Sequence, residues 1–263
     1  MRISYSQYKL FMFCPLAWYE RYVRNIVKPP GEARIFGSRF DQILEEHYRT
    51  MAGWNGIVYE PSDNPDIEAE AQAMYGAYMA HYPVEPFEVV AAQPKIVLPI
   101  PGSEHELVVI PDNIVSDLDT GKLEVLETKT EKRNGVHNLP KSWNARMQVT
   151  LYKWAVEQAY QEPVKDIIIN ICTRGSPGGK EGPSFRRDYI DRTPEQISQA
   201  LRDIADAADD MMRMQNRGWF RRNTEACMDG RYECEYYTIH NVADSEELRN
   251  QLYVPYHQQV TGT

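Results

Sequence analysis

The sequence lacks the features that would place the protein in a membrane or outside the cell. It contains no run of about 18 apolar residues, and its N-terminus has no apolar segment of the signal-peptide kind. Its four cysteines are irregularly spaced in 263 residues, which argues against a disulfide framework. We therefore expect a cytoplasmic protein with no membrane partner, whose thiols are either buried or bound to a metal.

An excess of basic residues, usual in nucleic-acid-binding proteins, is also missing, because the net charge is −9. Acidic residues concentrate at 63–70 and 203–210, where they can form solvated faces. A local patch of cations is nevertheless enough to grip a phosphate backbone. The second half of the chain contains a group of arginines that could supply such a patch: Arg186, Arg187, Arg192, Arg213, Arg217, Arg221 and Arg222.

Several common catalytic motifs are absent. The sequence has neither a G-x-S-x-G elbow nor an H-E-x-x-H pair. The glycine-rich stretch at 175–182 lacks the first glycine of a P-loop, which favours a connection between strands. The chemistry must therefore be sought in other residues.

Hydrophobic periodicity predicts an α/β protein. Helices are predicted at 3–23 with a break near Pro15, and at 34–51, 67–82, 143–160, 193–217 and 245–252. Strands are predicted at 89–100, 108–115, 122–130, 166–172 and 184–190. With no repeats or linkers, we expect one domain over 1–263, made of a helical part (1–86), a sheet core (87–192) and a C-terminal part (193–263).

The strands at 108–115 and 122–130 flank the turn signal Asp119-Thr120-Gly121, which predicts an antiparallel hairpin. Continuing the ladder from this turn brings Asp112 within about one register step of Glu127, and Lys129 shares a strand face with Glu127. Such a group can hold a hard divalent cation and place an ammonium beside it, as phosphodiester hydrolysis requires. The alternative is an ordinary exposed cross-strand face with Asp112 in a turn.

Pro111-Asp112 followed by Glu127-x-Lys129 resembles the signature of the PD-(D/E)XK nuclease superfamily. Gln148 and Tyr152, one helical turn apart, resemble the Q-x-x-x-Y motif of its RecB-like branch. The stretch Phe36-Gly37-Ser38-Arg39-Phe40-Asp41 is similar to the G-x-x-x-H motif of that branch, with Asp41 in place of the histidine. The opening segment 4–22 also resembles the start of proteins of this branch. The segments 185–187 and 193–195 resemble phage-encoded members of the branch.

The resemblance implies a restriction-endonuclease-like core, a mixed sheet flanked by helices, that cleaves DNA with Mg²⁺ or Mn²⁺. It assigns metal ligation to Asp41, Asp112 and Glu127, water activation or charge stabilisation to Lys129, and substrate positioning to Gln148 and Tyr152. An exonuclease of phage replication or recombination, acting in the host cytoplasm with a possible partner protein, is the leading form. An endonuclease or resolvase, or a non-catalytic nucleic-acid-binding protein, is the alternative, and the oligomeric state is open.

The cysteines resemble a second feature of RecB-like enzymes, those of the AddB and CRISPR-associated type. These carry an iron–sulfur cluster bound by one cysteine near the N-terminus and three near the C-terminus. Cys14, Cys227 and Cys234 fit this arrangement, and His240 stands where the last cysteine is expected. Such a set could hold a 4Fe–4S cluster or Zn²⁺, or the thiols could carry no metal. Cys172 lies in an apolar run and is predicted to be a small buried residue.

Overall fold

The computed structural model describes residues 1–54, 59–131, 139–175, 181–229 and 232–256, which form two compact units. Unit 1 comprises the described residues of Met1–Pro30, Pro99–Leu107 and Leu201–Thr263, and unit 2 those of Gly31–Leu98 and Val108–Ala200. The prediction of a single domain with three parts stays a prediction. None of the described helices has the length and apolar character needed to cross a membrane.

Helices make up much of the described chain. They are α1 Tyr5–Phe13, α2 Pro15–Trp18, α3 Glu32–Met51, α4 Pro65–His81, α5 Leu139–Ala145, α6 Met147–Tyr160, α7 Pro194–Arg217, α8 Tyr237–Asn241 and α9 Glu246–Leu252, with a π-helical turn at Tyr19–Val23 and a 3₁₀ turn at Thr224–Cys227. Their boundaries follow local chemistry. Ser4, for example, accepts a hydrogen bond from the Gln7 amide and caps α1.

The strands are β1 Arg2–Ser4, β2 Ile26–Val27, β3 Phe87–Ala92, β4 Ile96–Pro99, β5 Glu106–Val109, β6 Asn113–Asp117, β7 Leu123–Glu131, β8 Val164–Thr173, β9 Ser184–Ile190, β10 Met228–Asp229, β11 Tyr232–Glu233 and β12 Val254–Pro255. Unit 2 is built on a five-stranded sheet of order β3-β6-β7-β8-β9. Only β7 and β8 pair in parallel, and the other neighbours are antiparallel. This mixed sheet flanked by helices confirms the predicted fold class.

The core of unit 2 lies where α3 and α4 cover one face of the sheet. Phe40, Tyr48 and Tyr78 from these helices pack with Leu126 and Ile168 of the central strands, all at most 2% exposed. Strand β8 is buried along nearly its whole length, as its continuous apolar run predicts for a strand covered on both faces. Packing against the central strands therefore fixes the position of α3.

Unit 1 has its own apolar core, around α2, α8 and the 3₁₀ turn. Cys14, Ala17, Ala226, Tyr236 and Ile239 are buried together there. The break between α1 and α2 coincides with Cys14-Pro15, as predicted, because proline is tolerated in the first turn of a helix but not within one. This break leaves the Cys14 side chain inside the core.

Three predicted elements were wrong in extent. The strand predicted at 89–100 is two strands, because Gln93 adopts φ 46°, which ends β3 after a last hydrogen bond from the Gln93 N–H to the Asp112 carbonyl at 2.8 Å. The strand predicted at 108–115 divides at Pro111, which has no N–H for a ladder. The helix predicted at 143–160 divides at Arg146, whose backbone is extended (φ −79°, ψ 129°).

Candidate active site

The hairpin of β6 and β7 brings Asp112 next to Glu127. Asn113 pairs with Leu126 and Ser116 with Leu123, so Asp112 follows directly opposite Glu127 in the antiparallel ladder. The Thr128 amide donates to Asp112 Oδ2 at 2.7 Å, and the Asp112 amide donates to Glu127 Oε2 at 3.5 Å. The proximity expected from the turn and the register is therefore present.

Lys129 and Gln148 both contact the Glu127 carboxylate. Lys129 Nζ lies 2.7 Å from Glu127 Oε1, and Gln148 Nε2 donates to the same oxygen at 3.0 Å. Gln148 also donates to the Tyr152 hydroxyl at 2.8 Å, and that hydroxyl donates to the Ile110 carbonyl at 3.2 Å. The two residues of the Q-x-x-x-Y motif thus orient Glu127 from α6, and Tyr152 is largely buried.

Asp41 enters this site from α3. Its side chain lines a cavity of about 10 Å³ together with Glu45, Asp112, Asn113 and Thr128. That volume is close to the least that holds one water molecule. Asp41, Asp112, Glu127 and Lys129, which we call the acidic site, are thus gathered from one helix and one hairpin.

Burial and, after it, crowded negative charge shift the pKa values of the acidic site. Loss of hydration, together with the charges of Asp112 and Glu127, raises the pKa of Asp41 to about 8. Burial and the charge of Asp112 raise the pKa of Glu127 to about 7, against the opposing effect of Lys129. Burial also raises the pKa of Asp112. For Lys129, burial alone would lower the pKa, but Glu127 and Asp112 outweigh it and raise the pKa.

The donor chemistry of the acidic site fits a hard divalent cation. Carboxylate oxygens are the ligands that Mg²⁺ and Mn²⁺ prefer, and a positive ion would relieve the repulsion that raises the carboxyl pKa values. In the described part of the chain, no three or more His, Cys, Asp or Glu side chains already form a metal-binding cage. Glu127 Oε1 is instead held by Lys129 and Gln148, so the fit rests on the donor set and the adjoining cavity.

A buried polar network reaches the acidic site from the α4 side of the sheet. Arg187 donates to both oxygens of Glu85, at 2.6 and 2.7 Å, and to the Tyr78 hydroxyl at 2.9 Å. Asn170, fully buried on β8, donates to the Tyr78 hydroxyl at 3.0 Å and to Thr128 Oγ1 at 3.2 Å. Because the Thr128 amide holds Asp112, the network ends at a proposed metal ligand.

Sequence reasoning missed this network and misplaced one of its members. Arg187, expected in a phosphate-binding patch, is buried against Glu85, and Arg192 is only 6% exposed. That part of the patch prediction was wrong, because both guanidinium groups satisfy polar groups inside unit 2. The one available signal was Asn170, a lone amide within the apolar run 167–172.

The predicted thiol ligands lie near one another in unit 1. The Asn223 amide donates to Cys14 Sγ at 3.5 Å, and Cys227 Sγ donates to the Asn223 carbonyl at 3.9 Å. The Cys234 amide donates to the Cys227 carbonyl at 2.9 Å. Burial raises the pKa of the Cys234 thiol, with added effects of Cys14 and Cys227. We call Cys14, Cys227 and Cys234 the thiol cluster.

His240 points to a different partner. Its Nε2 lies 3.3 Å from Glu20 Oε1, and Arg249 Nη1 donates to Glu20 Oε2 at 2.9 Å. Glu20 is 2% exposed, so this ion-pair network compensates its buried charge. His240 therefore contacts Glu20. To bind a metal as the fourth ligand, its ring would have to leave that contact.

Comparison with known proteins adds independent findings. The sequence profile of the PD-(D/E)XK nuclease superfamily matches residues 2–239. The "Putative exonuclease" from Eubacterium rectale is similar in structure, with a TM-score of 0.59 at 14% sequence identity over 89% of each chain. An alkaline exonuclease from Laribacter hongkongensis gives a TM-score of 0.34 at 11% identity, over 71% of this chain and 95% of that one. A search of curated protein sequences returns no significant match.

Proposed function

The chain belongs to the PD-(D/E)XK nuclease superfamily, and from that premise we propose that it is a divalent-metal-dependent exonuclease acting on DNA. The observation that carries the proposal is the acidic site itself. Asp112 and Glu127 lie opposite each other, Lys129 Nζ is 2.7 Å from Glu127, and Asp41 reaches the same place from α3. Buried carboxylates with shifted pKa values, concentrated in this way, are typical of functional sites.

Asp41, Asp112 and Glu127 are the residues that would hold Mg²⁺ or Mn²⁺. Such an ion, when bound, polarises a phosphoryl oxygen and lowers the pKa of a coordinated water. Lys129 keeps its proton at neutral pH, so its role is to orient a water or to stabilise negative charge on the phosphate. Gln148 holds the Glu127 carboxylate in position from α6, and Tyr152 holds Gln148, a supporting role in addition to contact with DNA.

The test compares Lys129→Met with a matched lysine variant. Purified protein is incubated with end-labelled linear DNA in Mg²⁺, Mn²⁺ or EDTA. We expect the label to be released only when a cation is present. Lys129→Met should abolish cleavage, because it removes the ammonium and keeps the side-chain length. Lys165→Met is the control, since Lys165 pairs with Glu124 at 3.1 Å on the same sheet but outside the acidic site.

Closed circular DNA distinguishes the exonuclease hypothesis from the endonuclease or resolvase hypothesis. An exonuclease leaves it intact, whereas an endonuclease or resolvase, which would use the same residues, nicks or linearises it. Full activity of Lys129→Met would refute the role of that residue. Absence of cleavage of every DNA form, together with absence of cation binding, would instead favour the non-catalytic nucleic-acid-binding alternative. We propose phage-type replication or recombination as the setting, with a possible partner protein of those processes.

We further propose that the thiol cluster holds a 4Fe–4S cluster or Zn²⁺, with His240 as the fourth ligand. Support comes from Cys14 and Cys227, which both contact Asn223, and from Cys234, whose amide donates to the Cys227 carbonyl. Unit 1 has a small apolar core in this region, and a metal there would stabilise it. To act as the fourth ligand, the His240 ring must leave its contact with Glu20.

A further inference from the structure

Trp143 connects two cations at the edge of the acidic site. The Lys129 ammonium lies 5.2 Å from the centre of the Trp143 ring, and the Arg146 guanidinium carbon lies 4.0 Å from the same centre. Both distances are within the range of cation–π attraction. Trp143 is 2% exposed, so its ring is a fixed support for both side chains.

The chain around Arg146 is held in place by a buried arginine. Arg192 donates to Asn144 Oδ1 at 3.0 Å and to Thr150 Oγ1 at 2.8 Å, and it also binds the Asn144 carbonyl. These contacts link the end of α5 to the first turn of α6. Arg146 occupies the corner between the two helices, and Gln148, two residues later, contacts Glu127. The position of Arg146 near the acidic site is therefore determined by the fold.

Arg146 keeps its charge available. Across the described residues it makes no ion pair, whereas Arg39, Arg174, Arg186 and Arg187 of the same unit each pair with a carboxylate. The aromatic ring attracts the guanidinium without neutralising it. An arginine held over a ring beside buried carboxylates has two functions open to it: filling space, or binding an anion that arrives with the substrate.

We propose that Arg146 binds a backbone phosphate of the DNA next to the bond that is cut, and that Trp143 positions both Arg146 and Lys129. The inference rests on the proposed nuclease function and names a part of its substrate contact. The planar guanidinium can donate two parallel hydrogen bonds, which lie in its plane, to phosphate oxygens while it keeps its contact with the ring. Phosphate contacts of this kind fix the register of the DNA and carry no sequence preference.

The first experiment measures DNA binding without cleavage. Fluorescence anisotropy with a labelled duplex in EDTA, over a series of salt concentrations, gives Kd and its salt dependence. Arg146→Ala should weaken binding about tenfold, the effect of one charge-assisted contact. The slope of log K against log salt should also become shallower by roughly 0.9, because one fewer counterion is released. Arg146→Lys should restore the slope, and Arg174→Ala, an arginine of the same unit that is paired with Glu70, should match the wild type.

The second experiment separates the role of Trp143 from general stability. In cleavage assays, Arg146→Ala should raise KM and leave kcat nearly unchanged. Trp143→Leu should raise KM and lower kcat, because Lys129 loses its support as well, and Trp143→Phe should restore both values. Thermal unfolding of each variant identifies any that fails to fold. If Trp143→Leu does not fold, the test rests on Trp143→Phe, whose kinetics should be closer to wild type than those of Arg146→Ala.

Unchanged Kd and salt slope for Arg146→Ala would overturn the inference, even if the wild type cleaves DNA. Equal kinetics of Trp143→Leu and wild type would overturn the positioning role. A wild type that binds DNA through Arg146 but never cleaves it would refute the proposed nuclease activity and would support the phosphate contact. The two proposals therefore fail by different measurements.

Discussion

The acidic site of unit 2 and the thiol cluster of unit 1 were both predicted as metal sites, and they differ in what holds them together. In the acidic site, carboxylates crowd one another, and burial with mutual repulsion raises the pKa of Asp41 to about 8 and that of Glu127 to about 7. In the thiol cluster, burial raises the pKa of Cys234, so that thiol stays neutral at pH 7. Neutral thiols can pack in a core without a metal, whereas crowded carboxylates gain directly from a cation.

The largest expected effect separates the two sites by activity. Asp112→Asn should lower the cleavage rate by roughly a thousandfold or more, because it removes a charged ligand while keeping the side-chain shape. Cys234→Ser, assayed on protein shown to be folded by circular dichroism, should cleave at the wild-type rate. Comparable activity losses in the two variants would mean that the sites are not functionally distinct.

Metal content tests the thiol cluster directly. Protein purified without oxygen should contain stoichiometric iron with a brown chromophore, or stoichiometric zinc. Removal of that metal should lower Tm by roughly 10 °C, since metal binding contributes to folding. If the purified protein is colourless and free of zinc, and a chelator does not change its Tm, the thiols are packing groups only.

A smaller shift is expected when a cation is added to the acidic site. Mg²⁺ or Mn²⁺ at about one hundred times Kd should raise Tm by roughly 5 °C, because it binds the folded state and relieves carboxylate repulsion. Asp112→Asn should show no such shift, and its Tm without added cation should exceed that of the wild type. An equal shift in the variant would place the bound cation elsewhere.

The smallest expected effect comes from a carboxylate of unit 2 that already has its counter-charge. Arg39 donates to both oxygens of Glu68, at 2.6 and 3.0 Å, and lowers the pKa of Glu68 to about 2. Glu68 therefore stabilises the fold above its unfolded pKa, and this contribution is lost as pH falls towards 2.

Glu68→Gln should cost about 1 kcal/mol in the free energy of unfolding at pH 7. The difference from wild type should shrink as pH falls through 4.5 towards 2, as measured by urea denaturation at each pH. A difference that is constant with pH would mean that the charge of Glu68 contributes nothing. In the acidic site, by contrast, Lys129 pairs with Glu127, and a bound cation would supply the remaining counter-charge.

The sequence predicted the hairpin and its partners because their rules are local. A turn signal and the two-residue period of strands are enough to place Asp112 within about one register step of Glu127, and in the structure the two lie opposite each other. The helical spacing of Gln148 and Tyr152 placed both on one face of α6, where they contact each other. The position of Asp41 came from the resemblance to a family motif, since no local rule connects α3 to the hairpin.

The elements that were missed depend on contacts far apart in sequence. Arg187 and Glu85 are charged residues with no local sign of burial, yet they pair inside unit 2 across 102 positions. The strand breaks at Gln93, whose backbone is left-handed and whose amide donates to the Asp112 carbonyl, a partner 19 residues away that no propensity at 89–100 reveals. Similarly, the corner at Arg146 is fixed by Arg192, which follows 46 residues later.

Strands β7 and β8 form the only parallel pair of the five-stranded sheet, and through it Asn170 reaches Thr128, the residue whose amide holds Asp112. The hairpin alone contains Asp112, Glu127 and Lys129, but a parallel neighbour needs a crossover, here through α6, before it can dock. Pairings of this kind form late, because the intervening chain must be ordered first. We therefore expect the nascent chain to have no nuclease activity until β8 has been synthesised and has paired with β7.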